Sequence, residues 1–145
     1  MSGITVGIDG SAHSSRALEW ALNEGATRHA PVTVLTVHPV PMSGWTGNPI
    51  TLPQDAADLE SERQAAEELT AKALSQLGGA QPSSVTVRAV IGFPAEELID
   101  ASRTADLMVV GSRGAGGFAR LVIGSVSSQV VHHAHCPVVV VPSGS

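Results

Sequence analysis

Between residues 111 and 125 the chain reads GSRGAGGFARLVIGS, with glycine at 111, 114, 116, 117 and 124. An apolar run, DLMVV, precedes it, and a helical pattern follows. Glycine has no Cβ and tolerates positive φ, so such backbone can lie close against a ligand. Successive N–H groups can form an anion-binding nest. A helix starting at Gly124-Ser125 adds free N–H groups and the positive end of its dipole. Ser125 is read as the cap of that helix and as a hydroxyl donor to phosphate. Arg113 and Arg120 supply positive charge in an otherwise acidic chain. The chemistry implied is phosphate binding; the alternative is a flexible turn without ligand. The stretch has no G-x-x-x-x-G-K-[ST] pattern, hence no P-loop lysine, and no G-x-G-x-x-G follows the first strand.

A second candidate is DGSAHS, residues 9–14. A carboxylate at a strand end, followed by small residues and a helix, can hold a ribose hydroxyl, which is the role read for Asp9 with Gly10 beside it. Ser11 and Ser14 are read as helix caps. A third is HHAHC, residues 132–136. His132, His135 and Cys136 offer soft ligands, but their spacing fits no familiar zinc pattern. Histidines at a helix C-terminus suit the dipole, so no metal site is read. Catalysis has little support: no G-x-S-x-G elbow and no H-E-x-x-H occurs. His13 is read as a surface residue of the first helical turn.

These residues need elements to position them. Apolar β-branched runs predict strands at 4–9, 31–38, 84–90, 106–111 and 137–141. Amphipathic spacing predicts helices at 14–29, 59–77, 94–104 and 125–134. Gly78-Gly79 closes the second helix, and Pro94 opens the third. The alternation βαβαβαβαβ, with strands apolar on both faces, predicts an α/β protein: a doubly wound, open, parallel five-stranded sheet in the order 3-2-1-4-5, in one domain over residues 1–145. Its winding reverses between strands 1 and 4, where ligands bind outside the strand C-termini. Asp9 ends strand 1 and Gly111 ends strand 4, so both candidates fall there. The connection 39–58, PVPMSGWTGNPITLPQDAAD, is long for a loop and reads as a lid or partner surface around Trp45, or as a tolerated insertion.

Composition narrows the partners. The chain has 145 residues, 43% hydrophobic and 14% charged, with a net charge of −5. An acidic chain is a poor nonspecific nucleic-acid binder. Two Trp, two Phe and no Tyr leave little for base stacking. A single cysteine excludes an internal disulfide framework. No run approaches a membrane span, and the N-terminus lacks a signal-peptide pattern. The expectation is a cytoplasmic protein with no nucleic-acid or membrane partner.

With these residues in place, the chain resembles a universal stress protein domain over essentially its whole length. Gly111, Gly114, Gly124 and Ser125 match the family's Gly-x2-Gly-x9-Gly-[Ser/Thr] pattern in both spacings. VGIDGSAHSSRALEWA is similar to the strand 1 signature, IGFPAEELI to the strand 3 turn, and HCPVVVVP to the last strand. The resemblance implies a Rossmann-like, adenine nucleotide alpha hydrolase-like fold and a stress-response regulatory protein that binds ATP, with or without Mg²⁺. It implies that Asp9 faces the ribose and that Val37, His38 and Pro39 lie by the adenine through backbone groups. Gly111, Gly114, Gly124 and Ser125 would then hold the phosphates. Pro39 departs from the family's usual Val and lacks an N–H donor. The family often dimerises through its last strand, and an exposed PVVVV edge wants a partner. A cyclic-nucleotide binder, a weak ATPase or nucleotidyl transferase, and a structural dimer without ligand are the alternatives.

Overall fold

A computed structural model describes residues 3–40, 53–112 and 124–142. Five strands, β1 (Ile4–Ile8), β2 (Pro31–Pro39), β3 (Ser84–Gly92), β4 (Leu107–Gly111) and β5 (Val138–Val141), alternate with four helices. These are α1 (Ala12–Arg28), α2 (Pro53–Ser75), α3 (Pro94–Ala101) and α4 (Ser125–His133). The sheet order is β3-β2-β1-β4-β5 and every pairing is parallel. The expected doubly wound sheet is therefore present, with its reversal between β1 and β4.

The period-two pleat sorts the core into two layers. Ile4, Val6 and Ile8 of β1, Val32 and Val34 of β2, and Leu107 and Val109 of β4 face α1 and α2, where Ala17, Leu18, Ala21, Leu22 and Ala66 meet them. Leu35, Met108 and Val110 face the other way, against Leu98 of α3 and Val130 of α4. α1 packs close because Gly25 faces β2: a Cβ there would lie 2.4 Å from Val32 Cγ2. Its end is closed by His29 in the left-handed region, φ 52°, and Ala30 N donates to Gly25 O at 2.9 Å.

Three expectations need correction. α2 starts at Pro53, six residues before the predicted 59, and it ends at Ser75, ahead of Gly78. Pro53 falls in the long connection that the sequence predicts, yet proline suits a helix's first turn, and Asp55 there favours the positive dipole end. Gln76 and Leu77 leave the helix through turn bonds to Ala73 and Leu74 carbonyls, so Gly78 is no direct cap. The connection after β2 shrinks accordingly to 40–52; Trp45 lies outside the described residues. Finally, β3 is not apolar on both faces. Ser84, Thr86 and Arg88 are exposed while Val85 and Val87 pack inward, as an edge strand allows. Other boundaries move less: α1 begins two residues earlier than predicted, β3 runs on to Gly92, and α3 stops at Ala101, with 102–104 in turns.

No described helix is long and apolar enough to cross a membrane.

Candidate functional site

The site begins where strands stop. Pairing of β1 with β2 ends at Ile8–Thr36, while β2 continues along β3 to Pro39–Gly92. Val37, His38 and Pro39 thus run past the end of β1, beside the turn that carries Asp9. Val40 N donates to Gly92 O at 3.1 Å, so the β2–β3 ladder resumes after the proline, which has no N–H to give.

Asp9 is exposed just beyond β1. Its Oδ1 accepts from Ser11 N at 2.9 Å and from the Ser11 hydroxyl. Ser11 is the N-cap of α1, accepting from Ser14 N at 3.3 Å. Ser14 Oγ accepts from Asp9 N at 3.2 Å and donates to Ser11 O at 3.0 Å. Ser11 caps α1 as expected, whereas Ser14 lies within the helix and supports the turn through Asp9 N and Ser11 O. Gly10 has φ +82°, a backbone conformation that favours glycine. The carboxylate is therefore held at the mouth of the β1–β4 crevice by a turn whose geometry local sequence specifies.

On the other side of the crevice, Gly111 closes β4 and is buried. The Ser127 hydroxyl donates to Gly111 O. Ser112 N donates to Val141 O at 2.9 Å, and Gly124 N donates to Ser112 O at 2.7 Å. The last bond fastens together the two ends of the glycine-rich connection. Its interior, 113–123, contains Arg113, Gly114 and Arg120 and lies outside the described residues, so the reading of those three rests on sequence. Gly124, not Ser125, is the N-cap of α4, extended at φ −63° and ψ 162°, with no side-chain cap hydrogen bond. This corrects the reading of Ser125 as the cap: the Ser112–Gly124 bond sets the extended residue one position earlier, and Ser125 becomes the first helical residue. The nine-residue α4 thus starts without a side-chain cap hydrogen bond, and the free N–H groups of such a first turn favour an anion.

The His38 side chain goes elsewhere. The pleat that sends Val32 and Val34 toward α1 and α2 sends His38 to the same face. There Nδ1 lies 3.0 Å from Glu62 Oε1 and Nε2 lies 3.2 Å from Asp55 Oδ1. The Glu62 carboxylate holds the imidazole above its ordinary titration range; burial opposes this and Asp55 adds to it. Asp55 is only 4% exposed. Asp58, one turn on, brings a carboxylate to the same place: His38, Asp55 and Asp58 each offer a ligand atom within 4.8 Å of the others. None of the three acids was singled out from sequence. Their spacing, i, i+3 and i+7, marks one helical face, a signal that the expected loop over 39–58 hides. His132, by contrast, turns back on its own helix, with Nδ1 2.7 Å from Ser128 O.

The family model described as the universal stress protein family matches residues 1–142. A universal stress protein of Mycolicibacterium smegmatis is 35% identical over 139 residues, covering 96% of this chain and 47% of that protein. Universal stress protein Rv2005c of Mycobacterium tuberculosis is 33% identical over 141 residues, covering 97% and 48%. The chain spans about half the length of these curated relatives. Among solved structures, the universal stress protein UspA from Lactobacillus plantarum superposes with a TM-score of 0.76 at 22% identity, over 97% of both chains. A universal stress protein in complex with cAMP gives 0.69 at 24%, over 99% and 98%. One from Archaeoglobus fulgidus in complex with dAMP gives 0.65 at 24%, over 97% of both. At these identities the structural likeness is one of fold.

Proposed function

The chain belongs to the universal stress protein family, and from that premise we propose that it is a cytoplasmic regulatory module that binds ATP at the β1–β4 switch point. The observation that carries the reading is the first turn of α4, beside Gly111 and without a side-chain cap. A polyphosphate would satisfy those N–H groups. Gly111, Gly114, Gly124, Ser125 and Arg113 hold it in this reading, Asp9 and Gly10 take the ribose, and backbone groups of Val37, His38 and Pro39 meet the adenine. Mg²⁺ accompanying the triphosphate would keep most of its waters and need few protein ligands. Hydrolysis is at most slow, since no P-loop lysine is present. The bound and empty forms would differ around the glycine-rich connection, and a partner would read that difference.

A second reading has a specific support. The cAMP and dAMP complexes of fold relatives favour a ligand with one phosphate in the same crevice. The discriminating experiment is direct. Protein purified without added nucleotide is denatured and the released small molecules are identified by mass spectrometry; ATP and cAMP are then titrated calorimetrically into the emptied protein. Released ATP or ADP, and tighter binding of ATP, is the expected result. Preference for cAMP would replace the triphosphate reading, and no heat with either would refute nucleotide binding.

We also propose a homodimer through β5. Val138, Val139 and Val140 are half-buried on an edge strand, and such an edge is a template for a second copy. Light scattering showing a monomer at micromolar concentration would overturn it.

A further inference from the structure

We propose that His38, Asp55 and Asp58 form a site for a divalent transition-metal ion of the zinc class, with Glu62 orienting the histidine. The centre of the cluster is an imidazole with a carboxylate at each ring nitrogen. Glu62 Oε1 lies 3.0 Å from Nδ1, within reach to accept its N–H, and Asp55 Oδ1 lies 3.2 Å from Nε2, the nitrogen left to bind a metal. A metal ion bound at Nε2 would lie between the imidazole and the Asp55 carboxylate. A histidine ligand whose other ring nitrogen is tied to a carboxylate is the arrangement that orients metal-bound imidazoles and raises their basicity.

Distances and burial agree. Ligand atoms around a tetrahedral zinc ion, with bonds of about 2.0 Å, lie about 3.3 Å apart. The His38–Asp55 separation already has that value. Asp58 lies within 4.8 Å of both and is exposed, so rotation of its side chain can close the remaining gap. A separate observation concerns Glu62. Its Oε2 is shut off from solvent and, among the described residues, meets no donor. The Glu62 side chain as a whole is 40% exposed, and a cation across the imidazole would strengthen an Nδ1–H bond to this carboxylate. Imidazole with carboxylates suits zinc, cobalt or nickel, whereas Mg²⁺ prefers an all-oxygen octahedron. Three protein ligands leave a fourth position for water or another ligand. Because His38 lies one residue before the end of β2 and Asp55 lies in the first turn of α2, the ion would clamp together the two ends of the 40–52 connection.

The test uses the full chain, freed of nucleotide and treated with chelator, so it does not depend on the ATP reading. Zn²⁺ is titrated calorimetrically, and Co²⁺ is added as a spectroscopic probe. Expected are one Zn²⁺ per chain, the visible absorption of low-coordinate cobalt, and no comparable heat with Mg²⁺. Asp58→Asn, at an exposed position, should weaken binding about tenfold or more while the circular dichroism stays unchanged. Glu62→Gln should weaken it about tenfold through loss of the carboxylate that orients the ring, and His38→Gln should remove it. Cys136→Ser should bind as the wild type does. The proposal fails if the wild type shows no saturable Zn²⁺ binding, or if Mg²⁺ binds as well as Zn²⁺. It fails equally if affinity survives both Asp58→Asn and His38→Gln, or is lost in Cys136→Ser alone.

Discussion

Two regions at the C-terminal ends of the strands are built in opposite ways. The β1–β4 crevice is made mainly of backbone: a positive-φ glycine at Gly10, the end of β2 running past β1, and the first turn of α4 behind Gly124. The His38 cluster is made of side chains, drawn from a strand and from two turns of a helix. A backbone site depends on where glycine is allowed and where strands stop, and it tolerates change at many side chains. A side-chain site depends on a handful of functional groups and on the packing that brings them together. The two should therefore fail independently.

The strongest way to break that distinction is a substitution at Gly114. Gly114→Val should lower ATP affinity at least about a hundredfold, since a branched side chain in a phosphate-binding loop blocks close approach of backbone. Zn²⁺ affinity should stay within a factor of two. Asp58→Asn should do the reverse, and calorimetry of both variants with both ligands reads the whole comparison. Loss of both ligands in either variant would mean that the regions are coupled.

A smaller effect is expected at Gly10. Nothing lies within 4 Å of a Cβ added there, but φ is +82°. Gly10→Ala thus tests backbone conformation free of any clash. It should cost about 1 kcal/mol of stability, or about 2–4 °C in Tm for a chain of this size, and should weaken ATP binding by displacing the Asp9 turn. An unchanged Tm would mean that the turn relaxes without strain. The smallest effect sharpens the contrast with the histidine-rich end of α4. Burial pushes the Cys136 thiol above its ordinary range, and a nearby Asp106 adds to it, against a backbone hydrogen bond from Met108 that lowers it. The thiolate is scarce at neutral pH, so alkylation by iodoacetamide at pH 7 should be slower than that of free cysteine. A faster rate would reveal a reactive site there.

The fold was legible because its signals are local and repeated. Val-, Ile- and Leu-rich runs with helical spacing between them leave few parallel arrangements, and the strand order, the position of the reversal and the placement of Asp9 and Gly111 all follow. Errors arose where a local signal was ambiguous. Pro53 can end a loop or start a helix, and Ser125 can cap a helix or occupy its first position. In each case a contact distant in sequence or a neighbouring bond decides: the Asp55–His38 contact accompanies the early start of α2, and the Ser112–Gly124 bond makes Gly124 the cap.

The sequence by itself determined the alternation of strands and helices, the glycine spacing of the 111–125 stretch and the carboxylate at the end of β1. All of these are set by residue type and chain distance, through allowed φ and hydrophobic period. Only the tertiary structure decided where β2 outruns β1 and which face of β2 receives α2. It alone showed that His38 meets Asp55 and Glu62 from 17 and 24 residues away. The physical reason is that hydrogen bonds between side chains on different elements depend on packing, and packing is a property of the whole core rather than of any segment within it.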